Sequence, residues 1–337
     1  MAEIAFEYLR MARETTRGTA VTPPTHTLYT GGTLTPTKSI YRPTESRGTL
    51  ASNYRSAVTR RGTTFELTEE ATDTNILPFL LNGVVRGDVT TAATPVGAVN
   101  ARLWEFTRQT AADLLNSFTL YFGDFNIQTW QSPFAMFTEF VLSSDASSED
   151  GVLRHSGSGI AQPWATVANP AVPTNAAGVL LPSQLMQLWI DPAPGAIGTT
   201  AVTGRLISAT HTFTTGVTEK YLGGGATATL GFATVGRARS IGVTTTLRLE
   251  VPNLTEYNQW LNHTNLAVRV RHNGPIIDST PDFFHYVEVD TYGPFEDLTW
   301  GENAESNRVI ELTINGEYNA TLASDCRVAV QNALTAL

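Results

Sequence analysis

The chain has a single cysteine, Cys326, among its 337 residues. One thiol cannot form an intrachain disulfide bond, and it cannot supply the cysteine pairs of a structural zinc site. No apolar run approaches the roughly 18 residues that a membrane-spanning helix needs. Residues 1–13 mix glutamate and arginine with apolar side chains and lack the unbroken apolar run of a secretory signal. They predict a short amphipathic helix or an arm, and we expect a protein made in the cytoplasm.

Charge is scarce in this sequence, and lysine is scarcer still. Charged residues make up 16% of the chain, the net charge is −9, and Lys38 and Lys220 are the only lysines. An acidic protein repels a phosphate backbone, so a nucleic-acid-coating function is disfavoured. The 50 threonines favour strands, because β-branched side chains fit a pleated sheet better than a helix. With 42% hydrophobic residues available for a core, the composition predicts a mainly β fold.

The sequence shows no motif for catalysis or for cofactor binding. Its six histidines lack the H-x-x-x-H and H-E-x-x-H spacings of metal sites. Ser158 lies near His155, but the five-residue G-x-S-x-G pattern is missing, and a Ser/Gly-rich turn explains the segment better. We therefore predict neither an enzyme nor a cofactor.

Two parts of the sequence resemble each other about 182 positions apart. Residues 64–67 (Thr-Phe-Glu-Leu) match residues 246–249 (Thr-Leu-Arg-Leu), and both predict strands. Apolar residues with the i, i+3, i+4 spacing of a helix face follow each strand. They are Ile76, Phe79 and Leu80 in the first copy and Tyr257, Trp260 and Leu261 in the second. The repeat predicts two tandem β-sandwich or half-barrel domains, each with a short flanking helix.

The boundary between the predicted domains lies where proline, alanine and asparagine are concentrated, a composition typical of connecting segments. We assign residues 1–162 to the first domain with its N-terminal arm and residues 183–337 to the second domain with its C-terminal tail. Residues 163–182 form the predicted linker. Each half also carries a long segment without apolar periodicity, at residues 38–61 and 216–240. Loops this long are uncommon in compact domains unless they bind something.

The N-terminal half also follows a known pattern. Residues 8–20 (Tyr-Leu-Arg-Met-Ala-Arg-Glu-Thr-Thr-Arg-Gly-Thr-Ala) lead from the amphipathic arm to a pair of prolines. A strand, a long loop, a strand, a short helix, a strand pair and a Gly-Val-Leu segment then follow. They lie at residues 34–37, 38–61, 63–68, 74–82, 118–122 with 134–142, and 151–153. This order resembles the tail tube proteins of bacteriophages with long non-contractile tails over about residues 5–162, and more weakly over residues 183–320.

The resemblance implies subunits that join strands around a ring and stack rings into a tube. Single-domain members of that family form hexameric rings, so a trimer of two-domain chains would place six domains around the axis. It also implies a place in the virion tail, with tape measure, tail terminator and tail-tip proteins as partners. DNA would pass through the tube without specific binding, and no membrane would be involved.

Two sets of candidate residues follow from this interpretation. The long segments would connect successive rings through Tyr41, Arg42, Arg55, Arg60, Arg61, Tyr221, Arg237 and Arg239. The polar positions of the repeated strands would face the lumen, namely Thr64, Glu66, Arg248 and Glu250. Acidic groups in a lumen would keep DNA from adhering, because basic groups there would add phosphate contacts.

Two other interpretations remain open at this point. The first is a secreted two-domain β-sandwich that binds glycans, with Trp104, Trp130 or Trp189 as stacking platforms. The lack of a secretory signal argues against it. The second is a hydrolase that uses Ser158 and His155.

Overall fold

The computed structural model describes residues 7–28, 31–45, 47, 53–108, 115–124, 128–173, 178–193, 195–223, 230–238, 241–302, 307–320 and 323–337. Within these ranges the chain is mainly β, as its composition predicts, with 20 strands and two short α-helices. The helices are α1 (Leu77–Val84) and α2 (Thr255–Leu261).

The strands divide between the two halves of the chain. Those of the first half are β1 (Glu7–Arg13), β2 (His26–Leu28), β3 (Gly32–Tyr41), β4 (Ala57–Ala71), β5 (Arg102–Thr107), β6 (Phe118–Asp124), β7 (Gln128–Asp145), β8 (Arg154–Ala161) and β9 (Ala165–Val167). Those of the second half are β10 (Met186–Pro192), β11 (Ala201–Val202), β12 (Leu206–Thr214), β13 (Val217–Lys220), β14 (Thr234–Arg237), β15 (Gly242–Glu250), β16 (Leu266–Ser279), β17 (Asp282–Gly293), β18 (Phe295–Glu302), β19 (Arg308–Asn315) and β20 (Cys326–Asn332).

Eight of these strands form one antiparallel sheet, which we call the central sheet. Its order is β3-β4-β8-β7-β12-β15-β19-β18. The first four strands come from the first half of the chain and the last four from the second half. The halves meet where β7 pairs with β12, with Glu139 opposite Thr214 and Asp145 opposite Ser208. Strand pairing therefore crosses the predicted domain boundary.

Two outer sheets pack against the central sheet. The first outer sheet has the order β2-β1-β6-β7-β9, and the second has the order β11-β10-β16-β17-β20-β5. Strand β7 belongs to two sheets because it changes direction at Pro133 and Phe134, where Phe134 has a φ of 52°. Strand β5 comes from the first half but pairs with β20 of the second.

The pairing order of the two halves corresponds strand by strand. The first half has the order β3-β4-β8-β7, and the second half has the equivalent order β12-β15-β19-β18. A helix follows β4 in the first half and β15 in the second. Glu66 opposite Ser158 has its counterpart in Arg248 opposite Glu311. The change of direction at Pro133-Phe134 has a counterpart at Pro294-Phe295, between β17 and β18.

The halves also share an apolar core. Alternation along β4 and β15 buries Phe65, Leu67, Leu247 and Leu249 on one face of the central sheet and leaves polar residues on the other. The largest apolar cluster combines residues of both halves. It contains Phe137 and Phe140 of β7, Phe213 of β12 and Val328 of β20, among others.

The N-terminal segment, predicted to be an amphipathic helix or an arm, is a strand, so the helix alternative is wrong. Residues 7–13 form β1, which pairs with β6 on one side and with β2 on the other. Leu9 and Met11 are buried in the core. A segment this short gains little from helical hydrogen bonds alone, whereas two neighbouring strands satisfy its backbone. Residues 1–6 lie outside the described part of the chain.

The predicted linker is packed on the first half where it is described. It contains β9, which pairs with β7. The Tyr8 hydroxyl donates to Asn169 over 2.8 Å, and the Arg10 guanidinium donates to the Pro170 carbonyl over 3.0 Å. Leu181 is fully buried. Residues 174–177 lie outside the description.

We expect acid to destabilise this fold, because two of its histidines are buried. Burial lowers the pKa of His211 to about 3 and that of His272 to about 4. Below about pH 6.5 the unfolded chain binds protons that the folded chain does not bind, so stability falls as the pH falls toward the folded-state pKa values. We expect each histidine to cost roughly 2–3 kcal/mol at about pH 4.5. Urea unfolding at about pH 7.5 and about pH 4.5 measures this loss.

The variant His272→Leu should lose less stability between the two pH values than the wild-type chain, whatever its stability at neutral pH. Comparing differences between pH values removes the packing effect of the substitution. An equal loss in both proteins would contradict the assignment to His272.

Candidate assembly interface

Both long segments predicted from the sequence are partly β-structure. Residues 38–41 and 57–61 continue β3 and β4 as one ribbon, and residues 216–240 contain the paired strands β13 and β14. We call residues 38–61 the first hairpin and residues 216–240 the second hairpin. Residues 46, 48–52, 224–229 and 239–240 lie outside the description, and Arg239 is among them.

The second hairpin rests on the first half of the same chain. Phe232 is buried against Phe134, with ring centroids 5.1 Å apart. The Gln162 side-chain amide donates to the Phe232 carbonyl over 3.0 Å, and the Arg61 backbone N–H donates to the Leu230 carbonyl over 3.0 Å. These contacts attach the second hairpin to the first half of the chain beside Phe134 and Gln162.

Four of the predicted inter-ring side chains have partners within the chain, namely Arg55, which pairs with Glu45, and Arg60, Tyr221 and Arg237. The Arg60 guanidinium lies 4.5 Å from the ring centroid of Tyr221. The Tyr221 hydroxyl donates to Glu219 over 2.7 Å, and burial together with this hydrogen bond raises the pKa of Tyr221 to about 12. Arg237 donates to the Thr215 carbonyl over 3.1 Å.

The first hairpin presents several of its side chains to solvent. Tyr41 is 61% exposed, and Arg42 is exposed beside it. Glu45 forms ion pairs with Arg47 and Arg55, each 2.6 Å long, and these pairs link residues on both sides of the hairpin. The first hairpin thus presents arginine and tyrosine side chains at a place equivalent to the docked second hairpin.

The central sheet ends in two unpaired edges. In the described part of the chain, no strand pairs with the outer side of β3 or with the outer side of β18. Unpaired edges are templates for further strand pairing, because each carries a row of unsatisfied N–H and C=O groups. These two opposite edges, β3 and β18, are therefore the candidate site of this molecule.

All four predicted lumen residues lie on one face of the central sheet. Thr64 and Glu66 alternate with buried residues on β4, and Arg248 and Glu250 do so on β15. The face is rich in threonine and serine. Sequence reasoning missed further polar side chains on it, which only the strand pairing aligns with the others. They are the carboxylates Glu139, Asp297 and Glu311 and the arginine Arg154.

The residues of the rival interpretations are placed differently. Trp104 is fully buried and its indole N–H donates to Asn332, so it cannot be a platform for a sugar. Trp130 and Trp189 are half-buried. Ser158 and His155 are three residues apart on β8 and point to opposite faces of the sheet, so they do not form a nucleophile and base pair.

The described residues contain no group of three or more histidine, cysteine or carboxylate side chains that could hold a metal ion. Neither helix in the described part of the chain has the length and apolar character to cross a membrane. Comparison with models of known protein families gave no match, and comparison with curated proteins gave none.

Proposed function

We propose that this chain is the structural subunit of a bacteriophage tail tube of the long, non-contractile type, with two tandem tube domains. It assembles into rings that stack into a hollow conduit for DNA in the virion tail. Tape measure, tail terminator and tail-tip proteins are its expected partners. The strand arrangement of the central sheet supports the proposal.

The main support for this proposal is that β7 pairs with β12 within one chain. The last strand of the first repeat pairs there with the first strand of the second repeat. The unpaired edges are the first strand of the first repeat, β3, and the last strand of the second repeat, β18. A second copy can therefore pair its β3 with the free β18 in the way that β12 pairs with β7.

The internal junction also predicts the register of this pairing. Ser39 corresponds to Thr214, because Thr35 and Thr210 lie opposite the equivalent residues Thr64 and Thr246. Thr299 corresponds to Glu139, because they lie opposite the equivalent residues Glu311 and Ser158. Since Thr214 lies opposite Glu139, Ser39 of one chain should lie opposite Thr299 of the next.

Head-to-tail pairing of this kind produces a ring if the rotation per subunit closes. Three chains of eight central strands would close a 24-stranded barrel of six repeats. About 16–18 strands already leave an aqueous channel in a barrel, so this one would be wider. Its inner surface would be the face that carries Glu66, Glu139, Asp297 and Glu311.

Disulfide trapping tests the register and the ring together. In the variant Ser39→Cys/Thr299→Cys, oxidation should link neighbouring chains, because directly opposed residues place their Cβ atoms about 4.5–5.5 Å apart. We expect a covalent ladder that ends at a trimer in denaturing gels. Background is low, because the native Cys326 is buried.

The matched control is Lys38→Cys/Thr299→Cys, in which the first cysteine lies on the opposite face of β3 and should not cross-link. A ladder that ends at six chains would reject the trimer. Tubes that form without cross-linking in the first variant would reject the β3–β18 junction.

A further inference from the structure

Helices α1 and α2 occupy equivalent places in the two repeats but differ in burial. Every residue of α1 is buried, whereas Glu256 is the only buried residue of α2. Leu80 of α1 is fully buried, and its counterpart Leu261 is 59% exposed. The second repeat therefore has an apolar helix face that the described chain leaves partly exposed.

Aromatic rings extend this exposed face. The ring of Tyr257 lies 5.8 Å from that of Trp260 and 6.0 Å from that of Trp300, and Trp300 lies on the free edge strand β18. Arg308 lies over Trp300 at 5.5 Å. We call Tyr257, Trp260, Leu261 and Trp300 the α2 patch.

Helix α1 packs on the outer sheet of its own repeat, where the ring of Phe79 lies 5.1 Å from that of Phe118, and the outer sheet of the next repeat joins the same core. Helix α1 belongs to the same core cluster as Val289 of β17 and Val330 of β20. The side-chain amide of Asn332, at the end of β20, donates to the Thr74 carbonyl just before α1 over 2.7 Å. The core is thus continuous across the β7–β12 junction.

The first outer sheet has a corresponding apolar surface that is only half-buried. The rings of Phe122 and Trp130 stack at 6.3 Å, and those of Trp130 and Trp164 stack at 5.6 Å. Phe122 and Trp164 pack at the margin of the large core cluster. These three residues, the aromatic triad, lie on or beside β6, β7 and β9. Strands β7 and β9 correspond by pairing to β17 and β20, which share a core cluster with α1.

We propose that the α2 patch of one chain docks against the aromatic triad of a second copy of this chain. This proposal rests on the proposed ring function and adds to it the apolar contact that accompanies the β3–β18 pairing. The β7–β12 junction inside the chain is the template for this contact. There α1, the counterpart of α2, shares a core with β17 and β20, the counterparts of β7 and β9. Both surfaces are mainly aromatic, with the Arg308 guanidinium against Trp300 on the α2 patch, and aromatic and arginine side chains are enriched at protein interfaces.

The variant Leu261→Glu tests the docking, because it places a carboxylate in the centre of the contact at a position that costs the isolated fold little. We expect about a tenfold loss of assembled rings, measured by sedimentation, while circular dichroism and thermal unfolding stay as in the wild-type chain. The matched control is Leu180→Glu, at a leucine that is 49% exposed outside the patch. It should assemble normally.

The outcomes separate this proposal from the ring function. If Leu261→Glu assembles like the wild-type chain and the Ser39→Cys/Thr299→Cys cross-link still forms in its background, the docking is wrong and the ring stands. If the cross-link does not form in any background, the ring itself fails. Loss of assembly in Leu180→Glu as well would show a general charge effect and overturn the assignment.

Discussion

A chain whose first hairpin is shortened to a tight turn should fold normally and fail to build tubes. The described side chains near its end contact each other, as Glu45 does with Arg47 and Arg55. The contacts of Arg60 and Arg61 with the second hairpin remain if residues 57–61 are kept, so the core loses little from the shortened hairpin. Its counterpart in the second repeat shows what such a hairpin does when it has a neighbour, since Phe232 packs against Phe134 there. Electron microscopy of the purified variant measures tube formation.

The second hairpin provides the contrast. Shortening it removes the buried Phe232 and Val217 from an apolar cluster, so the free energy of unfolding should fall by about 3 kcal/mol or more. Urea unfolding should therefore separate the two variants before any assembly assay is run. If the first-hairpin variant still forms tubes of normal length, the hairpin has no role in assembly.

The second large effect concerns the acidic face of the central sheet. We expect Glu66→Lys or Glu311→Lys to leave ring and tube assembly intact and to slow the passage of DNA. Each substitution repeats in every subunit of a tube, so the lumen would gain a regular array of phosphate contacts. Such contacts weaken steeply as salt rises from about 50 mM to about 200 mM, so the delay should be largest at low salt.

DNA ejection from virions that carry the variant subunit measures the effect at both salt concentrations. The control is Glu149→Lys, which makes the same charge change at an exposed position in the turn that follows β7. Equal ejection rates at low salt in virions with the wild-type subunit, the lumen variant and the Glu149→Lys control would contradict a role for the carboxylates in preventing adhesion.

Several elements of the fold are predictable because their signals are local. The strands predicted at residues 63–68, 118–122 and 134–142 lie within β4, β6 and β7. Apolar spacing predicts both α1 and α2. Alternation also predicts that the polar residues of β4 and of β15 share one side of each strand. Side-chain spacing reports which face of an element is buried, whatever that face packs against.

The partners of each element are not predictable in this way. The pattern of β1 predicts an amphipathic helix or arm, because seven residues are too few to distinguish the period of a helix from that of a strand. The long segments predict loops, although much of their described length is β-ribbon. Polar threonines and arginines on both faces of a projecting ribbon give no apolar period.

Composition and residue pattern are enough to predict a mainly β chain, a strand and helix pattern common to its two halves, and the polar side of the repeated strands. They do not predict that β7 pairs with β12, that β5 joins the sheet of the other half, or that α1 is buried along its whole length while α2 is partly exposed. Strand pairing uses backbone groups that nearly every residue carries, so side-chain patterns do not specify which edges meet. The free edges of β3 and β18, on which the proposed assembly depends, follow from that pairing alone.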